Sequence, residues 1–85
     1  MYAITEPDPI AQDQIAALPL DAVRYLAEVF ALLETAPWAG KPSNPAKPEG
    51  NLRIMPFGTG GLVTYLVLEQ QREVYIVRVQ WLSIA

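Results

Sequence analysis

Three arginines, Arg53, Arg72 and Arg78, sit within or between the apolar runs of the C-terminal half of this 85-residue chain. The chain has no histidine and no cysteine. That combination excludes thiol nucleophiles, histidine-based acid–base pairs, disulfides and ordinary zinc sites. The carboxylates do not cluster as metal ligands: Asp21 and Glu28 flank Arg24 at helical spacing, and Glu69 and Glu73 bracket a turn. No metal or cofactor is expected. What remains is anion chemistry. A guanidinium presents planar, paired donors that suit phosphate oxygens, so two arginines on one surface could grip a phosphodiester chain.

The stretch NLRIMPFGTGGLVTYLV, residues 51–67, places a glycine-rich turn between two apolar runs. The GTGG segment lacks the spacing of a dinucleotide or P-loop fingerprint. No helix follows it to offer an N-terminus to phosphate. It reads as a hairpin loop. Three strands are expected, over about 51–57, 62–68 and 74–82, joined by GTGG and EQQRE as antiparallel hairpins. Pairing Phe57 with Leu62 and Leu68 with Val74 gathers Leu52, Ile54, Val63, Tyr65, Val67, Tyr75, Val77, Val79 and Trp81 on one face. Arg53, Met55, Thr64, Arg78 and Gln80 fall on the other. This register puts Arg53 and Arg78 together on an open face, while Trp81 faces the core.

The elements that must position these residues begin with a short β-favouring run, YAIT. Asp8 followed by Pro9 then marks a helix start, since the carboxylate caps and proline suits the first helical position. A helix is expected from about Ile10 to Leu18, ended by Pro19, and a second from Leu20 to Thr35, ended by Pro37. The second is apolar almost all round, with Asp21, Arg24, Glu28 and Thr35 as a narrow polar stripe. Packing on a sheet uses an arc of roughly 100°, so part of Tyr25, Val29, Leu32 and Leu33 is expected to stay uncovered and meet a partner. Residues 36–50, with four prolines and two glycines, read as an extended loop. The fold class is α+β: a helical hairpin on one face of a mainly antiparallel twisted sheet of about four strands, in the order β-α-α-β-β-β, as a single domain over 1–85.

Net charge is −3, which argues against a general nucleic-acid binder. The distribution is uneven: residues 1–36 carry one base and six acids, residues 37–85 five bases and three acids. Any polyanion contact therefore belongs to the second half. The acids and prolines among the first twenty residues do not suit a signal peptide, and no apolar run approaches the roughly 20 residues of a membrane span. A cytoplasmic location is expected.

The order of elements, together with LLETAPW, NLRIMPFG and GLVTYLVLEQQREVYIVRVQW, resembles the RelE/ParE superfamily of bacterial toxins from toxin–antitoxin pairs. The likeness covers nearly the whole chain. It implies a sheet whose first strand joins beside the last, two helices on one face, and a concave opposite face. RelE-like members use that face to cut messenger RNA on the ribosome and so inhibit translation; ParE-like members poison DNA gyrase without being nucleases. Both are held inactive by an antitoxin, the partner implied here for Tyr25, Val29, Leu32 and Leu33. Carried onto this sequence, a RelE-like endoribonuclease would use Arg53 and Arg78 catalytically, with Arg72, Lys47, Gln80 and Trp81 contacting RNA. The family's arginine at the start of the central strand is Leu62 here. No histidine is present and the lysines lie only at 41 and 47, so no general base is evident. The alternative is a member that binds, to gyrase or otherwise, without cleaving.

Overall fold

The computed structural model describes residues 1–82. Strand β1 (Ala3–Ile4) leads to helices α1 (Pro9–Ala16) and α2 (Leu20–Thr35). A 3-10 turn (Pro37–Ala39) and a short strand β2 (Lys41–Pro42) follow, then β3 (Leu52–Phe57), β4 (Gly61–Leu68) and β5 (Glu73–Trp81). The sheet has five strands in the order β1-β5-β4-β3-β2; only the β1–β5 pair is parallel. The expected α+β architecture and element order are present, with one strand more than expected. That strand is β2, formed inside the segment read as an irregular loop. There Lys41 pairs with Ile54, Pro42 pairs with Arg53, and the Ser43 amide donates to Leu52 O at 2.8 Å. Proline at an edge is tolerated because its missing N–H can face away from the ladder.

Local chemistry explains the helices. Asp8 caps α1 by accepting from the Ile10 amide at 3.0 Å, and Pro9 opens its first turn. Pro19 precedes α2 and Pro37 follows it, so proline bounds that helix at both ends. Helix α2 buries Ala22, Leu26 and Leu33 against the sheet; full burial of each leucine contributes about 1.5–3 kcal/mol. Helix α1 buries Ala11 and shields the β5 edge beyond the two residues that β1 covers. There the Val79 amide donates to Gln14 Oε1 at 2.7 Å. An otherwise bare edge is thereby closed.

Register decides the faces, and here the expectation is corrected. Phe57 pairs with Gly61, not Leu62, leaving a three-residue loop in which Gly58 adopts φ 59°. At the other hairpin Leu68 pairs with Glu73, not Val74. A one-residue slip exchanges the two faces. Arg53, Met55 and Phe57 therefore turn toward the helices, and Leu52 and Ile54 turn away. In β5 Val74 and Ile76 are core residues, and Tyr75 faces the open side. A bulge in the β4–β5 pairing, with Thr64 opposite Arg78 but Tyr65 opposite Ile76, then inserts Val77 as an extra residue. Beyond it the expected pairing holds: Val79 is buried and Trp81 packs on the core side, its ring 5.5 Å from Phe57. Val63, Tyr65 and Val67 lie in the core as expected.

Candidate functional site

The clearest departure concerns Arg53. It is 8% exposed and lies on the helix side of the sheet, opposite Tyr65 in the β3–β4 ladder. Its Nε donates to Gly40 O at 2.9 Å, and one terminal nitrogen donates to Gly50 O at 2.7 Å and Pro48 O at 3.3 Å. The guanidinium also lies over the Trp38 ring, 5.1 Å from its centroid. The cause is the loop itself. Prolines at 37, 42, 45 and 48 remove amide donors, so its carbonyls need partners from elsewhere, and buried backbone groups rarely go unpaired. Arginine offers five donors in a fixed fork. Tyr65 assists from the next strand, its hydroxyl donating to Pro37 O at 2.6 Å. Burial raises the Tyr65 phenol above its ordinary value, offset in part by a hydrogen bond at Gly40 and by the Arg53 charge. A Cβ on Gly40 would collide with the Tyr65 hydroxyl and come within 2.7 Å of Ile54 O, so glycine is needed there.

Arg78 points the other way. Thr64 faces Arg78 across β4–β5 and lies on the side opposite Tyr65, so the two arginines project from opposite faces. Their expected pairing on one surface does not exist. Counting alternately from Val74 and Ile76 would have carried Arg78 into the core; the extra residue at the bulge turns it outward. Bulges commonly re-aim a side chain in this way.

The open face is built of rows that cross the strands. Lys41, Ile54, Thr64 and Arg78 form one continuous row across four strands. Pro56, Leu62 and Gln80 lie on one side of it, and Leu52, Leu66 and Tyr75 on the other. Leu52 and Leu62 are exposed. The surface is mainly aliphatic, with two cations at the ends of its central row. Lys41 is the residue that sequence reasoning passed over, because it lay in a segment assigned to no strand. Tyr75 hydrogen bonds to Asp8 Oδ1 at 3.1 Å, and its phenol is raised by burial and by that carboxylate.

The remaining expected RNA contacts scatter. Gln80 shares the open face; Trp81 does not, being packed against Phe57 and Gly58 on the helix side. Lys47 lines a small cleft with Ser43, Asn44, Gly50, Asn51 and Leu52. Arg72 sits at the β4–β5 turn with φ 56° and is engaged structurally. It pairs with Glu69 Oε2 at 2.9 Å, donates to the Tyr2 hydroxyl at 2.9 Å, and stacks 4.7 Å from the Tyr2 ring centroid. Glu69 also accepts from the Tyr2 hydroxyl at 2.6 Å and from Trp38 Nε1 at 2.8 Å. These bonds, Tyr2 first, then Trp38 and Arg72, hold the Glu69 carboxyl below its ordinary range. Trp38 thus pins the loop between Arg53 and Glu69.

On α2, Tyr25 and Leu32 are exposed and Val29 is half-buried, whereas Leu33 is fully buried. Leu33 cannot meet a partner, because it follows Ala22 and Leu26 on the stripe that faces the sheet. Leu20 and Val23 are exposed instead.

The sequence matches no protein-family model and no curated relative. Solved structures give a different result. A chain of the intact E. coli RelBE toxin–antitoxin complex superposes with a TM-score of 0.79 at 15% identity, covering 99% of this chain and 100% of that one. The isolated E. coli RelE toxin gives 0.80 at 15% identity, covering 100% of this chain and 88% of that one. A chain of the Mycobacterium tuberculosis RelBE2 complex gives 0.78 at 19% identity, with 95% and 98% covered. Over the described residues the chain has the fold of the RelE toxins.

Proposed function

We propose that this protein is the toxin of a toxin–antitoxin pair, acting as RelE-like toxins do on messenger RNA at the ribosome and held inactive by a bound antitoxin. One observation carries the reading: the likeness to RelE and RelBE chains spans 95–100% of the chain. The uncovered sheet face, with Arg78 presented by a bulge, supports it as the working surface. The apolar flanks of α2, with Leu20, Val23, Tyr25 and Leu32 exposed, support it as a covered partner surface.

Induced expression tests this directly. Growth arrest with a fall in protein synthesis is expected, relieved by co-expressing an adjacent reading frame whose product co-purifies. Harmless expression with no such partner would overturn the reading. Cleavage itself is read from new 5′ ends on messenger RNA. Arrest without new ends would favour the second reading, binding without cutting, for which the aliphatic open face and the absence of histidine speak.

A further inference from the structure

Opposite edges of the sheet carry surfaces of opposite sign. Beside β1 a groove of about 540 Å³ lies between residues 4–7 and α2. Ile4, Pro7, Phe30 and Ala31 give it an apolar lining, and the carboxylates Glu6 and Glu34 are the charged groups along it. Both are exposed, and neither is in an ion pair among the described residues. Glu6 accepts a long hydrogen bond from Gln12 Nε2 at 3.4 Å. Arg72, at the turn beside β1, is already paired with Glu69. An apolar groove flanked by two carboxylates fits a cation carried on an apolar stem.

Beside β2 stands the complement. Residues 43–48 are exposed, and Lys47 lies among Pro45, Ala46 and Pro48. Lys47 is in no ion pair among the described residues, and the one acid of the loop, Glu49, follows Pro48. The segment is held in shape. The Lys47 amide donates to Asn44 O at 2.9 Å and the Ala46 amide to Asn44 Oδ1 at 3.0 Å, while Arg53 grips Pro48 O and Gly50 O. Such preorganisation removes part of the ordering cost of binding. Strands β1 and β2 are the outermost of the sheet, four strand spacings or about 19 Å apart. A loop locked at one edge therefore cannot fill the groove at the other, and the occupant has to come from another molecule.

We propose that the groove beside β1 receives the Lys47 loop of a second copy of this chain, so that molecules associate head to tail with Lys47 set against Glu6 and Glu34. A contact between two different surfaces is heterologous and repeats from copy to copy. A loop of this length is small beside the roughly 20–30 residues that each side of a stable interface contributes. The association is therefore weak, concentration-dependent and screened by salt.

The test is sedimentation velocity on the whole chain over a concentration series, at low salt and again at about 0.5 M salt. At low salt the mean mass should climb past twice that of one chain, and added salt should reverse the climb. Lys47→Glu and Glu34→Lys should each stay monomeric with unchanged unfolding midpoints, since both side chains are exposed. The chain carrying both changes should assemble again, because the charges have changed places. Arg78→Glu alters net charge as Lys47→Glu does, but on the open face, and should assemble like the unaltered chain. A chain monomeric at every concentration would overturn the self-contact and leave the groove to a different cationic segment. A mass that levels off at two copies, or assembly that salt strengthens, would overturn it too. So would equal loss in Arg78→Glu, or failure of the double change to restore what either single change removes. None of these readouts involves growth arrest, so each outcome leaves the toxin reading as it stands.

Discussion

Truncating Arg53 to alanine would strip Gly40 O, Pro48 O and Gly50 O of their donor in a loop that has few amides to replace it. Unmade hydrogen bonds to a charged group are costly. Arg53→Ala should therefore lower unfolding stability by about 3 kcal/mol, seen as a lower urea midpoint. The same side chain read as a surface cation would predict almost no change. Gly40→Ala makes the complementary case from the other side of the contact. Its methyl would collide with the Tyr65 hydroxyl, and overpacking of this kind costs about 1–3 kcal/mol. Both measurements address the lock on residues 37–50, and neither depends on the function proposed.

Between elements, Glu69 ties the β4–β5 turn to β1 through Tyr2 and to the 3-10 turn through Trp38. Its folded pKa lies below the ordinary 4.5, so its contribution to stability is complete above that value. It is lost as the pH falls through the lowered one. Chemical unfolding followed from about pH 6 to about pH 3 should show this loss, and Glu69→Gln should flatten that part of the profile. This network also marks where sequence reading ran out. The helices were legible because proline bounds α2 and Asp8-Pro9 opens α1, both local signals. Three long strands and their order were legible from apolar runs and short turns. Faces were not. Loop length differed by one residue at each hairpin, and Arg53 obeyed the carbonyls of a proline-rich loop rather than its own polarity. Val77 then restored the expected pairing over the second half of β5, which is why Arg78 was placed correctly and Arg53 was not. Lys41 was missed because a two-residue edge strand containing proline carries no periodicity to detect.

For the whole molecule, the exposed apolar side chains of α2 are the feature that intrinsic stability does not require. Tyr25→Ser with Leu32→Ser should change unfolding stability by no more than about 1 kcal/mol, yet weaken any antitoxin complex, measured by titration calorimetry. An equal loss of both would make these residues packing residues only. The sheet's closure has a consequence of another kind. Ala3 and Ile4 find their partners only at Glu73 and Val74, so β1 waits for β5, the last strand among the described residues. Such distant pairing is slow to form, and a polypeptide whose β5 is still inside the exit tunnel cannot complete it. A copy whose β5 has not yet emerged therefore has neither a seat for β1 nor the bulge that turns Arg78 outward.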